Sequence, residues 1–124
     1  MLSILKESTS ELSKIFKLIK YSTSRPTIVK ALQTELNKQY KAGLVVDGIY
    51  GVKTNNAVRN LSYGAKGNLT KMLQGLLICN GYNTNGFDGV FGNGTASAVK
   101  SYQKKKGLTA DGIAGQKTFA SLCK

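Results

Sequence analysis

The sequence predicts an all-α protein of short helices joined by Asp-Gly turns, and three observations carry that prediction. The first is an eight-residue pattern written three times: Asp47-Gly48-Ile49-Tyr50-Gly51-Val52-Lys53-Thr54, Asp88-Gly89-Val90-Phe91-Gly92-Asn93-Gly94-Thr95 and Asp111-Gly112-Ile113-Ala114-Gly115-Gln116-Lys117-Thr118. The second is apolar residues at helical spacing between the copies. The third is the weakness of any strand signal. Leu44-Val45-Val46 and Leu76-Leu77-Ile78 are short aliphatic runs that fit helix ends or turns better than a ladder. Repetition decides the architecture of a chain before any other feature.

The shared pattern is Asp-Gly-aliphatic-x-Gly-x-x-Thr, and each position has a physical role. The Asp carboxylate can accept hydrogen bonds from the amides that follow it, closing an Asx-turn. The first Gly permits positive φ. The aliphatic residue (Ile49, Val90, Ile113) is expected to plug the turn into the core. The Thr hydroxyl falls in the first turn of the following helix, where it is expected to serve the orphan amides.

Taken in order, residues 2–20 read as an amphipathic helix with Leu5, Leu12, Ile15, Phe16 and Ile19 at helical spacing, and Ser8-x-x-Glu11 matches a capping box. Residues 21–25 form a polar connector, and Pro26 suits the opening of a helix over 27–40 with Ile28, Leu32, Leu36 and Tyr40 on one face. The first turn leads into a short helix carrying Ala57, Val58 and Leu61. A glycine-rich break at 63–67 precedes a second long helix over 68–80, with Leu69, Met72, Leu73, Leu76 and Leu77 inward. The second turn feeds a helix with Ala98, Val99 and Tyr102 inward; the third feeds a last helix anchored by Phe119 and Leu122. At an offset of 41 residues, Leu32-Gln33 and Leu36 fall on Leu73-Gln74 and Leu77, and the first turn falls on the second without a gap. Domain organisation follows: 1–25 helix and linker, 26–60 a half-copy of the repeat, 61–124 a full copy.

Charge and residue usage narrow the function. Against 6 Asp and Glu stand 18 Lys and Arg, a formal net charge of +12, which favours a polyanionic partner. A basic nucleic-acid-binding domain accounts for that charge but not for the three turns. The chain has no His, and its two cysteines, Cys79 and Cys123, lack metal spacing, so neither a zinc site nor a Cys-His nucleophile pair is expected. Cys79 and Cys123 read as small buried residues, with a disulfide between them a minority alternative. No metal, cofactor or catalytic residue is expected. The Asp of each turn is one oxygen ligand where a calcium loop needs several, and the three recur as punctuation rather than as a facing pair of acids. No segment approaches the length of roughly 18 apolar residues that spans a membrane, and the first twenty residues lack a signal peptide's apolar stretch.

At this point the residues meet a family. The stretch Leu61 to Leu122 resembles a complete peptidoglycan-binding domain of the three-helix type found in bacterial and phage wall-lytic enzymes. The resemblance rests on Gly64-Ala65-Lys66-Gly67, Met72-Leu73-Gln74, Leu77, Gly81-Tyr82, the second turn, Ala98-Val99, Tyr102-Gln103, Gly107-Leu108 and the third turn. Residues 28–61 resemble a shortened copy that lacks the second turn and closing helix. A half-module ahead of a full one is similar to the tail of clostridial and phage endolysins.

The resemblance implies a noncatalytic module that grips the stem peptide or glycan of the wall, or its anionic polymers. A tethered catalytic domain would lie upstream, in a chain made in the cytoplasm and acting at the wall. The groove between the helix over 68–80 and the second turn is the expected site, with Tyr82, Asn83, Phe91, Asn93, Thr95 and Tyr102 as contacts. Tyr50 and Phe91 share a turn position and either cap the core or offer a ring face to a ligand. Gln33, Gln74 and Gln103 each follow an apolar helix position; tying down a turn's backbone is the favoured reading, over reading a peptide carbonyl. Lys104-Lys105-Lys106 is a solvated helix end that adds diffuse attraction to anions. Residues 1–20 are a candidate for self-association.

Overall fold

The structure, a computed structural model, describes residues 25–123. The helix expected over 2–20 and its self-association surface lie outside them. Five helices follow one another: α1 Arg25–Tyr40, α2 Val52–Ala57, α3 Asn68–Cys79, α4 Asn93–Lys105 and α5 Gln116–Cys123. Among the described residues there is no strand. Two isolated antiparallel bridges, Leu61 with Ala114 and Lys66 with Val90, are the only ladder pairings. None of these helices is long and apolar enough to cross a membrane.

The helix α3 sits at the centre because its sequence is apolar over more than one face. Leu69, Leu73, Leu76 and Leu77 are buried, and so are Thr70, Gln74 and Gly75 between them. It packs against α1, α4 and α5, while α2 packs against α5. From α1 come Ile28, Val29, Leu32 and Leu36; from α4 and α5 come Val99, Tyr102, Phe119 and Leu122. These side chains form one continuous cluster with the leucines of α3, so α1 shares a core with α3, α4 and α5.

Helix ends follow glycine placement. Gly81 (φ 90) lets the Gly81 amide donate to the Ile78 carbonyl and the Tyr82 amide to the Leu77 carbonyl, the paired bonds of a Schellman cap. Gly107 (φ 74) repeats this at the end of α4, with Gly107 bonded to Lys104 and Leu108 to Gln103.

Two expectations at the element level need correction. Tyr40 does not face inward: it is 39% exposed, at the last residue of α1, with the Arg59 guanidinium 4.2 Å from its ring centroid. The helix after the first turn stops at Ala57. Val58 is extended (φ −66, ψ 150), and Leu61 instead exchanges two backbone hydrogen bonds with Ala114.

Candidate functional site

Each turn is clamped by one buried glutamine. Gln33, Gln74 and Gln103 are all 1% exposed. At the second turn Gln74 Nε2 donates toward Asp88 Oδ1 (3.2 Å), the Val90 carbonyl (3.0 Å) and Thr95 Oγ1 (3.0 Å), sharing two hydrogens among three acceptors. Its Oε1 accepts from the Gly89 amide at 2.9 Å. Gln33 makes the same bonds to Asp47, Ile49, Thr54 and Gly48. Gln103 makes them to Asp111, Ile113, Thr118 and Gly112. In every copy the Asp Oδ1 also accepts from the amide two residues on, which is the Asx-turn the sequence predicts. The glutamine is therefore structural, and it explains why Asp, Gly and Thr recur together: all three are ligands of one amide group.

The network revises three readings. The turn Thr does not cap its helix; its hydroxyl accepts from Gln, and neither α2 nor α4 has a side-chain N-cap bond. The aliphatic residue of the turn points outward, with Ile49, Val90 and Ile113 67%, 43% and 40% exposed. The following residue is the plug: Tyr50, Phe91 and Ala114 are buried. The positive φ of the turn glycine (78, 78 and 77 at Gly48, Gly89 and Gly112) reverses the chain so that this next side chain meets the core.

Of the six contacts expected from sequence, Phe91, Thr95 and Tyr102 are each 1% exposed. Phe91 is core, Thr95 belongs to the Gln74 network, and Tyr102 packs edge-on against Tyr82 with its hydroxyl 2.6 Å from Ser121 Oγ. They present no side-chain surface to a ligand. Tyr82 is half-buried, while Asn83 and Asn93 are exposed. Residues 84–85 also fold down onto the second turn. A Cβ on Gly94 would stand 2.5 Å from the Thr84 carbonyl oxygen and 2.6 Å from Asn85 Cβ, so only glycine fits under that loop.

Open hollows lie over the other two turns. A pocket of about 480 Å³ at the third turn is lined by Val58, Asn60, Leu108, Asp111, Ile113 and Lys117 among others. A second, of about 260 Å³, lies at the first turn against Leu44, Val45, Asp47, Ile49, Val52 and Lys53. Asp47 and Asp111 thus line different pockets, and no group of three or more metal-ligating side chains forms among the described residues. Cys79 is half-buried and Cys123 buried, both as thiols, on α3 and α5.

The turns also set a pH dependence. The Ile49 amide, followed by the Gln33 side chain, holds the Asp47 carboxyl below its ordinary value. The Val90 amide does the same for Asp88, against a smaller opposing effect of burial. A folded-state value below the unfolded one gives stability that is present above the ordinary carboxylate range and lost as pH falls through the lowered value. Urea midpoints are therefore expected to hold steady down to about pH 5 and to drop below about pH 4. The D47N/D88N double variant keeps both acceptor oxygens and should show a shallower acid limb; equal slopes would refute the assignment.

The fold is a repeat-built helical module with three glutamine-clamped turns. Residues 66–122 match the model of the putative peptidoglycan binding domain. The chain is 44% identical to the solved SleB N-terminal domain, covering 52% of this chain and 88% of that one with a TM-score of 0.50. A Burkholderia AP3 phage endolysin matches at 39% identity, covering 52% of this chain and 24% of that one with a TM-score of 0.50. The N-acetylmuramoyl-L-alanine amidase CwlM of Mycobacterium tuberculosis is 35% identical over 82% of this chain and 29% of its own length. The chain belongs to the peptidoglycan-binding domain family, and it spans 29–39% of the length of the three amidases it matches.

Proposed function

We propose that this chain is the noncatalytic wall-binding region of a peptidoglycan-lytic enzyme, an endolysin or autolysin whose catalytic domain lies upstream. The observation that carries the reading is the pocket at the third turn, inside the part of the chain that matches the family. It combines an exposed Lys117, the Asn60 amide and the aliphatic Leu108 and Ile113 on a rigidly clamped turn. Such a surface suits a wall peptide, with charge and hydrogen bonding at one side and methyl contacts at the other. Tyr82, Asn83 and Asn93 are candidates for additional contacts, and residues 26–60 and 61–124 for the half-copy and full copy of the binding repeat. The work done is an increase in the local concentration of a tethered enzyme on an insoluble substrate.

The net charge of +12 supports a second reading, a sequence-blind nucleic-acid binder. Co-sedimentation with purified sacculi, before and after removal of teichoic acids, separates the two across a salt series. Retention on stripped sacculi at 0.5 M NaCl is expected, because charge attraction is largely screened at that ionic strength. Release from stripped walls together with steeply salt-dependent DNA binding would favour the second reading.

A further inference from the structure

The two open pockets are copies of each other. Each of the nine residues lining the first-turn pocket has a repeat counterpart lining the third-turn pocket, Leu44 matching Leu108, Ile49 matching Ile113 and Lys53 matching Lys117. The remaining two lining residues at the third turn, Val58 and Asn60, come from the segment after α2. We infer that the half-copy carries a second ligand pocket of its own, and that both pockets take the carboxylate end of a short peptide. The inference rests on the wall-binding reading and adds to it a second site and a ligand group.

The argument for a ligand comes from one repeat position. Residue seven of the pattern is Lys53, Gly94 and Lys117 in the three copies. Where residues 84–85 fill the hollow, the position is glycine and a Cβ is excluded. At the two open hollows it is lysine. Lysine there is exposed, and a cation in the first helical turn is on the wrong side of the helix dipole, so helix stability does not call for it. A lysine lining a hollow with an aliphatic wall suits a carboxylate next to a small apolar side chain.

The two pockets differ in one respect. Val45 and Val52 of the first are 75% and 76% exposed, whereas their counterparts at the third are Thr109 and Gln116. The first pocket should therefore favour the more apolar peptide end.

Titration of ¹⁵N-labelled protein with a soluble muropeptide bearing a free terminal carboxylate tests this. Two molecules per chain are expected, with amide shifts in both 47–54 and 111–118. Lys53→Glu should leave one molecule per chain and shifts confined to 111–118, with affinity at that turn unchanged within about twofold. Lys117→Glu should do the reverse, and Lys53→Arg should restore two. One molecule per chain in the unmodified protein, or shifts at the third turn alone, overturns the second pocket while leaving wall binding intact. Absence of muropeptide binding at either turn overturns the ligand assignment. Parallel co-sedimentation with stripped sacculi then tells whether wall binding fails with it.

Discussion

Replacing Gln74 with leucine is expected to destabilise the protein by roughly 2–6 kcal/mol, the cost of leaving two buried polar groups without partners at about 1–3 kcal/mol each. Leucine fills similar space, so the loss isolates the amide. The Gly89 amide is buried and donates only to Gln74 Oε1, and the Thr95 hydroxyl is buried with it. The Val90 carbonyl and Asp88 carboxylate lie nearer solvent and can rehydrate. Against a total stability of about 5–15 kcal/mol for a domain, this is a large fraction. Gln33→Leu should cost less, on the order of 1–3 kcal/mol, because the Thr54 hydroxyl is the buried group it orphans while the Asp47 and Gly48 amides lie nearer solvent. Urea unfolding followed by far-UV circular dichroism measures both. A Gln74→Leu variant within 1 kcal/mol of the parent, or the reverse ranking, would mean that the network contributes little.

Much of this was legible because the repeat encodes the network. A glutamine after an apolar helix position, and an Asp-Gly-x-x-x-x-x-Thr turn beyond it, can be read off the chain; the favoured structural role of Gln33, Gln74 and Gln103 follows from their burial requirement alone. The facing of Ile49 against Tyr50 was not legible. A turn has no period, and which of two adjacent apolar residues meets the core depends on the dihedral angles of the glycine before them. The burial of three of the six expected contacts has a related reason. At an offset of 41 the segments ahead of the first and second turns have equal length, so nothing in spacing reveals that 84–85 fold over the second turn while Leu44 and Val45 leave the first open. The Lys-Gly-Lys alternation at 53, 94 and 117 was the available signal, since an unexpected glycine in a first helical turn marks a close approach. Thr95 and Tyr102 are polar residues near the second turn, but each polar group is satisfied within the protein.

Truncating Leu36 to alanine is the sharper test of how α1 and α2 are joined to α3, α4 and α5, with an expected cost of about 2–5 kcal/mol. Leu36 belongs to α1, yet it is fully buried in the cluster that contains Leu73, Leu76 and Leu77 of α3. The cavity left by alanine opens between two helices that are otherwise close-packed, and neither can shift without disturbing its own clamped turn. The loss should therefore appear in the complete module as well. Hydrogen exchange across a urea series at the α1 amides and at the α4 amides should report the same midpoint, lowered equally from the parent protein in a single cooperative transition. If α3, α4 and α5 keep their parental stability while only α1 and α2 loosen, the shared cluster is not a cooperative unit. In that outcome the first-turn pocket sits on a dispensable appendage. If both halves fall together, the first-turn pocket is carried on the same rigid body as the third, and two ligand ends can be held at a fixed separation.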